Sequence, residues 1–149
     1  MQTDAMPETR AEPPNEADRF ARAREKQAVA LLEDYVELIG DLITETGEAR
    51  VADIAHRMGV AQPTATKTVA RLKREGLATS RPYRGVFLTD AGAELATRVR
   101  ARHRTVVELL VAVGVPEATA ELDAEGIEHH VSERTLAAFE AFLDRDASN

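Results

Sequence analysis

Cysteine and tryptophan are both absent from this 149-residue sequence, and its aromatic residues are only two Tyr and four Phe. Without cysteine the chain forms no disulfide and offers no thiolate to a metal, which fits a reducing cytoplasm. With so few aromatic residues the core must be built mainly from Ala, Leu and Val, a composition that suits helices. No apolar run approaches 18 residues and no signal-peptide core is present, so we expect a cytoplasmic protein with no membrane partner.

Charge is distributed unevenly along the chain. The net charge is −7, but residues 50–84 contain eight Lys or Arg and two Asp or Glu, a net of +6, which leaves −13 for the remainder. An acidic chain with one basic block of this kind favours a function in which that block meets a polyanion. The length allows one domain of ordinary size, or two small ones that share a helix.

The basic block has the pattern of a helix-turn-helix followed by a wing. Residues 51–58 predict a short helix, Gly59 a tight turn, and residues 62–75 a second helix that is polar at its start and basic further along, as a recognition helix should be. Residues 77–80 and 86–88 flank a tip that contains Pro and Gly, which predicts a β-hairpin. The side chains predicted to contact DNA are Gln62, Pro63, Thr64, Thr66, Lys67, Arg71, Arg74, Arg81 and Arg84.

Helices are also predicted on both sides of this block. Residues 17–46 carry apolar side chains at spacings of three and four: Ala28, Leu31, Leu32, Tyr35, Leu38, Ile39 and Leu42. Asp34, Glu37 and Asp41 are expected on a half-buried strip beside this stripe, where carboxylates find partners on other helices, and ordinary solvated charge is the alternative. A further helix is capped by Thr89 and carries an Arg-rich polar side, another opens at Pro116, and Ser132 caps the last, at about 134–145.

The segment DAEGIEHHVS at residues 123–132 holds three carboxylates and two of the four histidines. On an α-helix Glu125, Glu128 and His129 occupy positions i, i+3 and i+4, so all three project from one face. Two carboxylates at that distance repel unless a cation or proton lies between them. Carboxylates with imidazole, and no thiolate, suit a hard or borderline divalent metal. A solvated acidic face is the alternative for the carboxylates alone, and the adjacent histidines favour the metal.

Four segments resemble the manganese-responsive branch of the diphtheria toxin repressor (DtxR) family: EDYVELI at 33–39, GVAQPTATKTVARLKREGL at 59–77, YRGVFLT at 83–89 and DAEGIEHHVS at 123–132. The resemblance implies a mainly α-helical chain. The resemblance also implies two domains and no SH3-like domain. The first is an N-terminal winged helix-turn-helix domain at 17–89, including the long first helix, and the second is a helical dimerisation and metal-binding domain at 90–149. Residues 1–16 are polar and hold three prolines, and we expect a disordered tail.

The same resemblance implies a homodimer that binds double-stranded operator DNA when loaded with Mn²⁺, two ions per subunit, and represses manganese-uptake genes. It makes metal ligands of Asp34, Glu37, His103, Glu125, Glu128 and His129. Oxygen ligands at Asp34 and Glu125, where iron-responsive relatives carry Met and Cys, favour manganese, and Fe²⁺ is the alternative effector. His130 falls outside the ligand pattern and is expected to form a hydrogen bond beside the site.

Two other functions were weighed against a metal-dependent repressor. A repressor that senses a small organic ligand would leave the acidic cluster as plain surface and would bind its operator without metal. A dinuclear metalloenzyme would require an open coordination position, a pocket and usually paired E-x-x-H motifs, which this sequence lacks. Such an enzyme would also leave the basic block without a role.

Overall fold

The computed structural model describes residues 12–149, so most of the predicted tail, residues 1–11, lies outside the described residues. Within residues 12–149 the chain is mainly helical, as predicted. Its elements are α1 (Glu16–Thr46), α2 (Val51–Met58), α3 (Gln62–Arg74), β1 (Ala78–Arg81), β2 (Gly85–Leu88), α4 (Asp90–Ala112), α5 (Glu117–Ile127), a 3₁₀ turn (Glu128–His130) and α6 (Glu133–Ala147). None of the described helices is long and apolar enough to cross a membrane.

The main hydrophobic core lies where α1 packs against α2, α3 and the hairpin. Its largest fully buried apolar side chains come from all of these elements: Tyr35, Val36, Ile39, Ile54, Leu72 and Val86. The predicted stripe on α1 is correct at Leu32, Tyr35, Ile39 and Leu42. It is wrong at Leu31, which is 41% exposed, because the buried face is centred on the Leu32–Val36–Ile39 side of the helix.

The turn between α2 and α3 has the geometry that the sequence predicted. Gly59 adopts φ +68°, a left-handed conformation that a glycine takes without a Cβ clash. The next amide, Val60 N–H, donates to the carbonyl of Ala55 at 3.0 Å, which closes the end of α2. Ala55 is 4% exposed, and its small side chain allows the two helices to approach each other.

The hairpin is antiparallel, with register from Ala78↔Leu88 to Arg81↔Gly85. It is attached to the segment between α1 and α2 through Val86 N–H, which donates to the Ala49 carbonyl at 2.8 Å. The start of α4 lies against the other end of the hairpin, where a Cβ on Gly92 would come within 2.0 Å of the Leu77 carbonyl oxygen. Thr89 caps α4 as predicted, accepting from Gly92 N–H at 3.2 Å.

The C-terminal half is built around α4, which packs against α1, α5 and α6. The segment expected to form one helix through residue 129 differs from the prediction, because α5 ends at Ile127 and a 3₁₀ turn follows. At Gly126 no neighbouring atom would lie within 4 Å of an added Cβ, and the backbone is not left-handed. Ser132 caps α6 as predicted, accepting from Thr135 N–H at 3.2 Å. Among the described residues, however, α6 contributes no fully buried side chain.

Candidate metal centre and nucleic-acid interface

Three helices and the 3₁₀ turn bring five of the six predicted metal ligands together. Asp34 projects from α1, His103 from α4, Glu125 from α5, and Glu128 and His129 from the turn. Glu128 is fully buried and His129 is 8% exposed, whereas Glu125 stays exposed. A carboxylate buried at this depth requires a cation or a proton nearby.

One group of potential ligand atoms is centred on His103. Its Nδ1 lies 3.0 Å from Glu128 Oε2 and 3.6 Å from Glu125 Oε1. One ligand atom from each of these three residues lies within 4.8 Å of the other two. Two atoms bound to one divalent ion at about 2.0–2.2 Å are at most about 4.4 Å apart, so a small contraction would let all three bind the same ion.

A second group is centred on His129. Its Nε2 lies 2.9 Å from Asp34 Oδ1 and 3.3 Å from Glu128 Oε1. The two carboxylate oxygens of Glu128 therefore face different histidines, Oε2 toward His103 and Oε1 toward His129. Such an arrangement would allow one carboxylate to offer an oxygen to each of two potential metal positions.

The chemistry of these atoms fits a divalent cation. Both oxygens of Glu128, Nδ1 of His103 and Nε2 of His129 are buried, and no hydrogen bond to any of them is found within residues 12–149. Buried polar atoms are nearly always satisfied by hydrogen bonds, and each exception requires an explanation. Four such atoms that converge on one volume have the chemistry to hold a divalent ion.

The same convergence perturbs the protonation of the ligands. Burial raises the pKa of Glu128 to about 7, assisted by the charges of Glu125 and Glu37 and opposed by the two histidines. The neighbouring carboxylates of Asp34 and Glu33 raise the pKa of His129 to about 10 in spite of its burial. The metal-free cluster thus holds protons where the carboxylates and imidazoles would otherwise hold an ion.

Glu37, the sixth predicted ligand, lies at the rim of this cluster. Burial and the negative charges of Glu125 and Asp41 raise the pKa of its carboxyl group. Together with Asp34 and Glu125 it lines a cavity of about 360 Å³ on the outer side of the site. Glu37 is therefore close enough to interact electrostatically with the ligand set, although it is not part of the group centred on His103.

Sequence analysis missed three charged residues beside the site. Glu33 is 3% exposed and pairs with Arg102, which belongs to the Arg-rich polar side that the sequence predicted for α4. Burial opposes ionisation of Glu33, but its bonds to His129 and Arg102 outweigh this and lower its pKa. Glu121, on α5, lies 2.8 Å from His103 Nε2. The pair of Glu33 and Arg102 depends on the packing of α4 against α1, and the pair of Glu121 and His103 on the packing of α5 against α4, so the sequence alone does not reveal them.

His130 was expected to form a hydrogen bond beside the site, and no side-chain hydrogen bond of His130 is found within residues 12–149. Its side chain is exposed, because the 3₁₀ turn directs Glu128 and His129 inward and carries His130 to the surface.

The predicted DNA-contacting residues all lie on α3 or on the hairpin. Those at the start of α3 are exposed, and so are Lys67 and Arg74, whereas Arg71 is partly buried and pairs with Glu75 at 3.1 Å. On the hairpin, the guanidinium groups of Arg81 and Arg84 lie 4.7 and 6.0 Å from the centre of the Phe87 ring. Tyr83 at the tip is 98% exposed. Helix and hairpin thus present a basic surface.

Two models of known protein families match most of the described chain. Residues 28–86 match the iron dependent repressor, N-terminal DNA binding domain, and residues 89–148 match the iron dependent repressor, metal binding and dimerisation domain. The chain belongs to the iron-dependent repressor (DtxR) family. It is a metal-dependent transcriptional repressor with a DNA-binding and a dimerisation domain, and not an enzyme.

Individual relatives place it near one branch of that family. The transcriptional regulator MntR of Escherichia coli O6:H1 is 51% identical over 126 residues, 85% of this chain and 81% of that protein. The HTH-type transcriptional regulator MntR of Geobacillus kaustophilus is 41% identical over 68% of this chain and 72% of its own length. The solved manganese regulator SloR has a TM-score of 0.66 at 28% identity over 76% of this chain, which spans 53% of SloR.

Proposed function

We propose that the chain is a manganese-responsive repressor that acts in the cytoplasm, binding operator DNA as a homodimer when loaded with Mn²⁺ and repressing manganese-uptake genes. The observation that carries the proposal is Glu128, a fully buried carboxylate with one oxygen toward each of two histidines and no hydrogen bond within the described residues. Oxygen at Asp34 and Glu125, and relatives named MntR, support manganese as the effector.

The proposed ligands are Asp34, Glu37, His103, Glu125, Glu128 and His129, which would together hold two divalent ions. The four carboxylates bring a charge of −4, which two divalent cations would balance. The bound ions would supply the positive charge that lets these carboxylates approach one another. Asp34 and Glu37 would then hold α1 against α4 and the 3₁₀ turn.

Helix α1 provides the link from this site to DNA. The same helix that carries Asp34 and Glu37 inserts Tyr35 and Ile39 into the core of the winged helix, less than 2% exposed. Fixing α1 against α4 therefore fixes the position of α3 relative to the dimerisation half. In a symmetric dimer this sets the spacing of two recognition helices, which must match half-sites about 34–36 Å apart or a multiple of that distance. Metal promotes repression by binding the DNA-competent state more tightly.

The dimer surface is proposed from exposed apolar side chains of the C-terminal half. These are Val111, Val113, Leu122, Ile127 and Phe142, between 38% and 76% exposed. Exposed apolar side chains of this kind on a dimerisation domain are candidates for the association surface. Val113→Glu should shift the protein toward monomer in sedimentation analysis, and an unchanged dimer would remove Val113 from the interface.

The test of the proposed function is operator binding across a panel of metals. DNA from the control region of a manganese-uptake gene is titrated with protein in excess chelator and in Mn²⁺, Fe²⁺ under anaerobic conditions, and Zn²⁺. Tight binding should require Mn²⁺, with weak binding in chelator. Equal affinity in chelator contradicts metal dependence and favours a different effector. Because Zn²⁺ binds such ligands more tightly than Mn²⁺ regardless of function, activation rather than affinity must be compared.

A further inference from the structure

The imidazole of His103 lies between two sets of carboxylates. Its Nδ1 faces Glu128 Oε2 at 3.0 Å and Glu125 Oε1 at 3.6 Å, inside the candidate metal centre. Its other nitrogen, Nε2, lies 2.8 Å from Oε2 of Glu121, outside that centre. Glu121 is one turn before Glu125 on α5, so one helix places a carboxylate on each side of the ring.

The two sides of the ring have different chemical requirements. A neutral imidazole carries one N–H and one lone pair, and only the nitrogen with the lone pair binds a metal. An acceptor at Nε2 selects the form with the proton on Nε2 and leaves the lone pair on Nδ1. Carboxylates that accept from the outer nitrogen of a metal-bound histidine fix its orientation and raise its basicity.

We infer that Glu121 is a positioning residue of the metal centre, whose carboxylate accepts the Nε2–H of His103 and directs Nδ1 toward Glu125 and Glu128. The inference rests on His103 being a metal ligand, as proposed above. Glu121 is not itself a ligand of that ion, because it contacts the nitrogen on the opposite side of the ring and stands outside the group of atoms that converge on Nδ1.

The affinity test compares three variants with the parent protein. Glu121→Ala removes the acceptor, whereas Glu121→Gln keeps an oxygen that accepts from the same N–H while losing the charge. Glu117→Ala, one turn earlier on α5, removes the same charge from the same helix and is the matched control. Mn²⁺ affinity, measured from free Mn²⁺ by electron paramagnetic resonance, should fall about tenfold in Glu121→Ala. This is the lower end of the 10–100-fold range for outer partners, because Glu121 is 54% exposed and water can replace it.

Mn²⁺ affinity should stay at the parent value in Glu117→Ala and within about threefold of it in Glu121→Gln, whose amide oxygen still accepts the hydrogen bond. A second measurement uses the protein loaded with diamagnetic Zn²⁺ and labelled with ¹⁵N-histidine. The Nε2–H proton of His103 should be protected from exchange in the parent and in Glu121→Gln. In Glu121→Ala it should exchange rapidly. A role of Glu121 in helix stability alone would not alter this proton selectively.

Equal loss of affinity in Glu121→Gln and Glu121→Ala, or in Glu117→Ala, would assign the effect to charge and overturn the inference. His103→Ala separates this failure from failure of the proposed function. If His103→Ala binds Mn²⁺ as the parent does, His103 is not a ligand and both proposals fail. If His103→Ala loses affinity while Glu121→Ala retains it, only the role of Glu121 is overturned.

Discussion

The two halves of the chain that meet along α1 are stabilised by different means. In the winged helix, the largest buried side chains are aromatic or aliphatic and come from every element, among them Tyr35, Ile39, Ile54 and Leu72. In the C-terminal half the buried apolar side chains are small, being Ala96, Val99, Val106, Ala120 and Ala124, and the largest fully buried side chain there is the carboxylate Glu128. Its larger apolar side chains are only partly buried, such as Leu95 and Leu136, or exposed, such as Leu122.

The difference shows which half depends on partners. Burying one large aliphatic side chain contributes about 1.5–3 kcal/mol, so the winged helix is stabilised by its own sequence. A buried carboxylate opposes folding unless it is paired or protonated. The C-terminal half is therefore sensitive to protons, to metal and to a second subunit. A metal-dependent repressor needs this combination, because a stable DNA-binding domain must be attached to a domain that responds to the metal.

A cavity in the winged-helix core should have the largest effect on stability. Leu72 is fully buried, and Leu72→Ala should reduce the free energy of unfolding by about 2–5 kcal/mol. If the two halves are distinct as described, the loss should be similar in chelator and in Mn²⁺, since none of the proposed metal ligands is among the buried residues of this core. Urea denaturation under both conditions measures it. A loss that appears only without metal would show that the winged helix depends on the effector as well.

Changing Glu128 to Gln tests the other half of the comparison. The amide keeps the size of the side chain but cannot bridge two cations, so Mn²⁺ affinity should fall by more than the roughly 10–100-fold expected for loss of an outer partner. Thermal unfolding of the metal-free protein should be unchanged or occur at higher temperature, because a buried carboxylate has been removed.

Repression by Glu128→Gln distinguishes a ligand from mere acidity. If Glu128 binds metal, operator binding in Mn²⁺ should be lost. If the cluster is only a repulsive patch that cations relieve, the metal-free variant should instead bind operator better than the metal-free parent. A variant that binds Mn²⁺ normally and still represses would remove Glu128 from the site.

How far the sequence predicts each half follows from how local the determining interactions are. The helix periods, the Gly59 turn and the caps at Thr89 and Ser132 depend on neighbours within a few residues, and they were predicted correctly. The pairing of Glu33 with Arg102 joins residues 69 positions apart and depends on how α4 packs against α1, which periodicity does not specify. The end of α5 at Ile127 was missed for a similar reason, because Glu128 and His129 satisfy contacts with other helices.

Protons and metal compete for the same side chains of the C-terminal half. The stability of the metal-free protein and its affinity for Mn²⁺ should therefore change with pH in opposite directions. The folded-state pKa is about 7 for Glu128 against an ordinary 4.5, and about 10 for His129 against 6.5. Between about pH 4.5 and 10 the metal-free folded protein therefore binds more protons than the unfolded chain, so its stability should fall as pH rises through that window. Glu33, with a lowered pKa, acts in the opposite sense only below this window.

Metal binding requires both groups without their protons, so Mn²⁺ affinity should rise with pH and fade on acidification at a higher pH than the 6.5 of an ordinary histidine. Thermal unfolding in chelator and in saturating Mn²⁺, from pH 5.5 to pH 9, measures both trends. The gap between the two unfolding temperatures should widen with pH. Glu128→Gln should lose the part of the metal-free trend below pH 7. Parallel curves for the two forms would contradict the assignment of these groups to the metal centre.

The smallest effect is expected on the exposed face of the winged helix, where a single charge should alter DNA binding and leave the metal centre untouched. Lys67 is exposed on α3, and Lys67→Ala should weaken operator binding about threefold near physiological salt and reduce the salt slope by about 0.9 if it contacts one phosphate.

Lys73→Ala is the matched control. It removes the same charge from the same helix, but six residues further on, where a rotation of about 100° per residue turns it to another side. Mn²⁺ affinity should equal that of the parent in both variants. Equal losses of operator affinity in Lys67→Ala and Lys73→Ala would mean that α3 attracts DNA through its net charge alone. A loss of Mn²⁺ affinity in Lys67→Ala would mean that the two halves are not as separate as their cores indicate.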